Sequence, residues 1–112
     1  MNETGYTILF ITAGNVTEAE KLGGIILRDH HAACVSIIEG VKSTYWWRGK
    51  LESAHESLLI VKTRNSQLDM ITRLIKENHS YSTPEVVAVP VTGGSPEYLE
   101  WIGREVPEIG RV

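Results

Sequence analysis

The sequence predicts an α+β fold of the ferredoxin-like type, a split β-α-β sandwich with a C-terminal helix added. Three observations predict it. Strand and helix patterns follow the order β-α-β-β-α-β, a hairpin signal joins the two β-α units, and 112 residues suit one domain. We treat residues 1–112 as that domain, with a core over residues 6–103 and a C-terminal tail over residues 104–112 that is loosely ordered or lies across a partner.

The first strand and helix come from contrasting patterns. Residues 6–12, YTILFIT, form a continuous apolar run that predicts a central strand buried on both faces. The helix that follows is expected to begin with a capping box of Thr17 and Glu20. Gly23 and Gly24 disfavour this helix, so we expect both to serve close packing on the sheet.

The middle of the chain predicts a long hairpin. Residues 33–38, ACVSII, begin the second strand, and Gly40 predicts a bulge because strand-forming residues resume directly after it. Gly49 marks a tight turn, and residues 55–64 form a strong third strand.

The second half repeats the β-α pattern. Asn65 or Ser66 is expected to cap a helix that runs through Asn78. Residues 85–91, EVVAVPV, predict a fourth strand that lies at a sheet edge or breaks at Pro90, since proline has no amide hydrogen.

The last helix has strong start and stop signals. Ser95 is expected as its N-cap, Pro96 as its first residue and Gly103 as its terminator. With this helix the predicted order of elements is complete.

The stretch STYWWRGK raises the question of an exposed face. Neighbouring side chains of a strand point to opposite faces, so Trp46 and Trp47 cannot both reach one core. Two helices on one face of a four-stranded sheet also leave its other face bare, although its strands are apolar at successive positions. We therefore predict an oligomer, with Tyr45, Trp46 and Trp47 at the subunit interface.

Composition excludes several classes of protein. Hydrophobic residues make up 42% and charged residues 22%, as in globular domains. The net charge of −3, without a run of like charge, argues against a nucleic-acid partner. No segment approaches the roughly 18 apolar residues of a membrane span. A single cysteine, Cys34, and an N-terminus without a signal pattern predict a cytoplasmic protein.

Several motifs together resemble one known family. AACV, YWW-G-K, the TPE after H-Y, and GGSPEYLEWI, which follow one another over residues 8–102, are similar to those of the CutA family of divalent-cation tolerance proteins. The resemblance implies a homotrimer like the PII signalling proteins, in which long hairpins cross between subunits. It also implies a non-catalytic role in tolerance of copper and other divalent cations, with no required cofactor. Animal relatives are linked to acetylcholinesterase anchoring, and a PII-like signalling role is an alternative.

The metal-ligand pattern of the family is incomplete here. In some bacterial relatives copper is assigned to a cysteine in the first strand and to paired histidines before the PY motif. At these positions the chain has Ile11, Asn78 and His79, and Ser80 replaces the proline that follows. His79 and Cys34 are therefore the candidate metal ligands, although Cys34 also fits the role of a small buried hydrophobic residue.

Three further readings remain open. In the first, polar residues from strand ends and from the HSYSTPE loop meet a tryptophan of a neighbouring subunit and bind a small anion or a metal-bound ligand in a cleft between subunits. The candidate residues are Trp47, Glu56, Lys62, His79, Tyr81 and Glu85. In the second, the protein is a structural scaffold. In the third, Cys34 is an enzyme nucleophile with His79 as base and Glu85 as orienting group, but no local signature supports it.

Overall fold

The computed structural model describes residues 4–108 and contains one four-stranded sheet and three α-helices. All the strand pairs are antiparallel, and the strand order is β2-β3-β1-β4. The mixed α+β class and the predicted order of elements are both confirmed. The elements are β1 (Tyr6–Ala13), α1 (Val16–Arg28), β2 (Cys34–Trp47), β3 (Lys50–Arg64), α2 (Leu68–Asn78), β4 (Val86–Pro90) and α3 (Pro96–Glu105).

The core lies between the sheet and helices α1 and α2. Alternate residues of β1, Leu9, Ile11 and Ala13, are fully buried on this side, and Leu59 and Val61 of β3 join them. The helices contribute apolar residues at helical spacing to the same cluster: Ala19, Leu22, Ile26, Ile71 and Ile75. None of the helices within residues 4–108 has the length and apolar character needed to cross a membrane.

The positions of β1 and β4 agree with the sequence patterns. The interior strand β1 lies between β3 and β4, as expected for a continuous apolar run. The edge strand β4 ends at Pro90, opposite Thr7. Because no strand pairs with its outer edge among residues 4–108, the missing amide hydrogen of Pro90 costs the sheet no ladder bond there.

The predicted capping box of α1 is wrong by two residues. The N-cap is Asn15, whose side chain accepts a hydrogen bond from the Glu18 amide at 2.8 Å, and Thr17 already lies in the helix. Glu18 reaches back to accept from the Gly14 amide at 3.1 Å. Asn15 therefore caps this helix. Glu18, in its first turn, also contacts the loop that follows α2.

The two glycines of α1 have different roles. A methyl group on Gly23 would lie 3.2 Å from Cγ1 of Val35, so this glycine does permit close approach of helix and sheet. Gly24 is exposed, and a methyl group there would meet nothing within 4 Å. The prediction is confirmed for Gly23 and wrong for Gly24.

The start of α2 also differs from the prediction. A 3-10 turn, Asn65–Gln67, precedes the α-helix, and no side chain makes a capping hydrogen bond at either N-terminus. Neither Asn65 nor Ser66 is therefore an N-cap. Gln67 is instead buried, and its side chain contacts Nδ1 of His31 and the Pro107 carbonyl oxygen.

Helix α3 continues past its predicted terminator. Ser95 occupies the N-cap position, without a side-chain hydrogen bond, and Pro96 is the first residue, but the helix ends at Glu105. A methyl group on Gly103 would overlap the Tyr6 hydroxyl, so this glycine serves close packing and not termination. Only tertiary contact distinguishes these two uses of glycine.

Part of the C-terminal tail is firmly packed. Val106 is fully buried, and its carbonyl oxygen accepts a hydrogen bond from Nε of Arg64. The same guanidinium donates to the Gly103 carbonyl oxygen at 2.8 Å. The expectation of a loose tail is therefore wrong for residues 104–106, while residues 109–112 lie outside the described residues.

The hairpin of β2 and β3 extends beyond the rest of the sheet. β1 pairs with residues 57–64 of β3, so residues 41–47 and 50–56 continue as a two-stranded ribbon, which we call the hairpin extension. Gly40 forms the predicted bulge, with φ of 74°, and the turn has positive φ at Arg48 and Gly49. Seven residues add about 24 Å, and the chain is correspondingly elongated, 45 × 25 × 22 Å.

The face of the sheet opposite α1 and α2, here called the open face, is partly covered by α3. The hydroxyl of Tyr98 accepts a hydrogen bond from Nζ of Lys62 on this face. Beyond the helix, Ile38, Val87 and Val89 are 42–50% exposed. The open face therefore presents apolar side chains that no part of residues 4–108 covers.

Candidate functional site

A cleft of about 670 Å³ lies on the open face where the hairpin extension leaves the sheet. Strands β1, β2 and β3 and the loop after α2 all contribute to it. Its walls combine hydroxyl groups, aromatic rings and two carboxylates, from Thr12, Ser43, Thr44, Tyr45, Trp47, Glu56, Tyr81, Ser82, Thr83 and Glu85.

A tyrosine and a buried glutamate form the inner wall of the cleft. The Tyr81 hydroxyl donates a hydrogen bond to Oε2 of Glu56 at 2.9 Å, and Glu56 is only 8% exposed. Burial, together with the hydrogen bond to the negative Glu56, raises the pKa of Tyr81 to about 12. Tyr81 is therefore a neutral hydrogen-bond donor throughout the physiological pH range.

His79 lies behind this wall and packs against Tyr81. Its side chain is fully buried, and its ring lies 4.6 Å from the ring of Tyr81. Nε2 is 2.7 Å from the carbonyl oxygen of Thr12, which can only accept, so Nε2 carries a proton. Nδ1 accepts a hydrogen bond from the Tyr81 amide at 3.0 Å. Both ring nitrogens are thus occupied by main-chain groups, and His79 fixes the loop to the end of β1.

Glu18 ties the same loop to α1. It accepts hydrogen bonds from the Ser80 amide at 2.7 Å and from the Ser80 hydroxyl at 3.0 Å, in addition to the Gly14 amide. Burial alone would raise the pKa of Glu18, but these hydrogen bonds from Ser80 and Gly14 lower it below its ordinary 4.5. Ser80, which stands where the family pattern has proline, therefore contributes two bonds that hold the loop.

The structure brings together four of the six predicted cleft residues. Trp47, Glu56, Tyr81 and Glu85 line the cleft. His79 lies behind it, as described above. Lys62 does not join them: its ammonium group is 3.3 Å from the Tyr98 hydroxyl and 5.5 Å from that ring, so it belongs to the contact with α3.

The two candidate metal ligands, His79 and Cys34, are not brought together. Cys34 pairs with Lys62, whereas Thr12, which contacts His79, pairs with Leu58. Four residues along β3 separate these positions by about 13 Å. The Cys34 thiol is half-buried on the open face, 3.8 Å from the Ser36 hydroxyl.

The positions at which the family resemblance implied copper ligands in some relatives have structural roles here. Ile11 is fully buried in the core, and the Asn78 side chain donates to the Leu74 carbonyl oxygen of its own helix. Within residues 4–108, no three His, Cys, Asp or Glu side chains are grouped so that they could hold a metal ion.

Sequence reasoning missed several residues of the site. Thr12, Ser43 and Thr44 are ordinary strand residues, and only the strand register places them around one cleft. Tyr45, predicted at a subunit interface, also lines the cleft. Glu18 was missed because its partner in the loop, Ser80, is 62 residues away in sequence. The hydroxyl-rich loop HSYST was the one signal that pointed to Ser82 and Thr83.

Three comparisons with known proteins agree. The family model described as CutA1 divalent ion tolerance protein matches residues 7–105. A chloroplastic CutA 1 of Oryza sativa is 44% identical over 101 residues, which cover 90% of this chain and 57% of that protein. This chain thus spans little more than half the length of that relative.

Solved structures give the same result. The crystal structure of CutA1 from Oryza sativa has a TM-score of 0.89 and 43% identity, covering 92% of this chain and 94% of that one. The periplasmic divalent cation tolerance protein CutA from Archaeoglobus fulgidus has a TM-score of 0.88 and 39% identity, covering 91% and 99%. The descriptions of the family model and of the Archaeoglobus protein name a tolerance to divalent cations.

Proposed function

The chain belongs to the CutA1 divalent ion tolerance family, and from this premise we propose that it acts in divalent-cation tolerance as a non-catalytic homotrimer. Copper is the first cation to test. We place the protein in the cytoplasm because its single cysteine, Cys34, suits a reducing compartment. Because some relatives are described as chloroplastic or periplasmic, the cellular location of this protein should be measured directly.

The observation that carries the trimer is the exposed apolar surface of the hairpin extension. Trp46 is 73% exposed, and Leu51, its cross-strand partner, is 61% exposed. Trp47 points to the opposite face and is 45% exposed. An isolated two-stranded ribbon is marginally stable in water, so cover by neighbouring subunits supplies what this ribbon lacks.

The open face supports the same proposal. Ile38, Val87 and Val89 remain exposed beside the half-buried Phe10 and Ile60. A hairpin that crosses to a neighbouring subunit would bury one aromatic face on its own chain and the other on that neighbour. Adjacent indoles, which are awkward in a monomer, then both lose contact with water.

The test of assembly is native mass spectrometry of the untagged protein, with Trp46→Ser and Trp47→Ser as variants. We expect a trimer for the parent and a loss of several kcal/mol of assembly stability for either variant. Glu20→Ser, at an exposed position of α1 remote from the hairpin, is the control and is expected to assemble as the parent does. A monomeric parent, or variants with the melting and elution profiles of the parent, would contradict the trimer.

Direct binding of copper needs its own measurement. Isothermal titration of Cu(II) into untagged protein should show whether the tolerance role includes a bound ion, and Cys34→Ser tests the thiol as a ligand. Micromolar binding that the variant loses would support a copper site at Cys34. Absence of heat would place the tolerance function outside direct copper binding.

A second role, binding of a small ligand in a PII-like signalling trimer, is favoured by the cleft beside the hairpin extension. Its polar groups converge on a volume that suits a metabolite. A shift of melting temperature across a panel of metabolites tests this role. A panel without a single shift would leave a structural scaffold as the better hypothesis.

A further inference from the structure

We infer that the cleft between the hairpin extension and the 80–85 loop selects an organic cation, an alkylammonium group, and not an anion. The inference deepens the second proposed role, since it rests on the cleft being a ligand site. It is carried by one buried carboxylate, by the aromatic rings around it and by the charge of the lining.

The buried carboxylate of Glu56 is under-compensated. Glu56 lines the cleft with 8% exposure, and within residues 4–108 its hydrogen-bond partner is the neutral hydroxyl of Tyr81. Its other oxygen, Oε1, has no partner in the same range, and no cationic side chain forms an ion pair with it. Burying a carboxylate without a cation is costly, so a positive group in the cleft would stabilise it.

The aromatic lining has the chemistry to bind an alkylammonium ion. Trp47, Tyr45 and Tyr81 all line the cleft, and Trp47 already attracts the Arg48 guanidinium, at 5.5 Å from the ring centroid. The negative face of an aromatic ring attracts a cation, and quaternary ammonium ligands are recognised by such rings. An inorganic ion would gain little from these rings, because its hydration shell keeps it away from them.

The charges that line the cleft disfavour an anion, and the nearby cations Arg48 and Lys50 adjoin Trp47 without lining the cleft. Glu85 adds a second carboxylate at the exposed rim, and the lining contains no lysine or arginine among the described residues. Lys62, the cation that an anion site would require, is held at α3. A phosphate or carboxylate ligand would therefore meet repulsion in this cleft, whereas a cation would be attracted.

The experiment is isothermal titration of the untagged protein with choline chloride at fixed ionic strength. The matched neutral probe is 3,3-dimethylbutan-1-ol, which has the same shape without the charge, and sodium acetate is the anionic probe. We expect saturable binding of choline, at least tenfold weaker binding of the neutral isostere, and no binding of acetate.

Variants assign the binding to the cleft. Glu56→Gln keeps the shape of the side chain and removes its charge, so choline affinity should fall at least tenfold. Glu85→Gln, at an exposed position, should lower it less and gives a second test if Glu56→Gln does not fold. Glu20→Gln removes the same charge outside the cleft and should leave it unchanged.

The outcomes separate this inference from the proposed role. If acetate or a metabolite binds in the cleft and choline does not, the cleft is a ligand site and our inference about its charge is wrong. If choline and its isostere bind equally, or if neither glutamate variant weakens choline, the inference is also wrong. If choline, acetate and the whole metabolite panel all fail, the ligand-binding role falls together with it.

Discussion

Replacing Tyr81 by phenylalanine is the sharpest test of the inner wall of the cleft. The change removes one hydroxyl, which donates to Oε2 of Glu56 at 2.9 Å, and keeps the ring that lies 4.6 Å from the ring of His79. Glu56 is 8% exposed, so water cannot fully replace the lost donor. A hydrogen bond to a charged group contributes about 1.5–3 kcal/mol, and we expect Tyr81→Phe to lower the free energy of unfolding by about 2 kcal/mol.

The assay is urea denaturation followed by circular dichroism at pH 7. Parent and variant are compared at one protein concentration, because the stability of an oligomer depends on it. Tyr98→Phe is the matched control. Its hydroxyl also meets a charged group, Lys62 at 3.3 Å, but in an exposed position, so the loss there should stay below about 0.5 kcal/mol.

The reasoning also predicts how the two side chains are coupled. In a Glu56→Gln background the acceptor is neutral, so Tyr81→Phe should cost about half as much as in the parent. Equal losses in the two backgrounds would show that the charge of Glu56 does not strengthen this bond. A Tyr81→Phe variant as stable as the parent would refute the description of Glu56 as a buried acceptor.

Three further predictions concern ionisation and helix packing. The folded pKa of Tyr81, about 12, exceeds its ordinary 10.0, so Tyr81 should contribute its full stabilisation below pH 10.0. This stabilisation should disappear as the pH rises towards 12. Phenolate absorbance and thermal melts at alkaline pH together check the prediction. Glu18, whose folded pKa is lowered, should contribute stability above its ordinary 4.5 and lose it as the pH falls below that value; Glu18→Gln should destabilise the protein at pH 7 and flatten its acid melting curve. Gly24→Ala should raise the free energy of unfolding by roughly 0.5–1 kcal/mol, whereas Gly23→Ala should give no such gain because its methyl group meets Val35 at 3.2 Å; equal effects of the two substitutions would contradict the packing described.

The elements could be predicted from the sequence because their signals are local. The apolar run of β1, the bulge at Gly40 and the turn at Gly49 are each encoded within a few residues. Pro90 likewise predicted the edge position of β4. These features depend on main-chain geometry and on side-chain alternation, which are properties of the residue types themselves.

The misassigned positions have two other causes. Gly103 is a residue type that often terminates helices, but here it allows Tyr6 to pack closely and the helix continues to Glu105. Thr17 and Glu20 have the spacing of a capping box, but Asn15 caps the helix and Glu18 turns to the loop at Ser80. At Gly103 a contact distant in sequence prevailed over a local preference of about 1 kcal/mol, whereas the cap at Asn15 is a local contact, three residues from Glu18, that competed with the predicted one.

The candidate site also combines features that the sequence determined with features that only the tertiary structure decided. The sequence by itself determined that aromatic, hydroxyl and carboxylate side chains cluster around one hairpin and one loop, and that the two neighbouring tryptophans cannot share a face. Tertiary structure decided which of these side chains meet: Glu56 and Tyr81 face one cleft, while Lys62 is held by Tyr98 and Cys34 lies about four residues along the strand from the site. The physical reason is strand register, because a cleft built from β1, β2, β3 and a loop depends on how distant segments align, and no local pattern records that alignment.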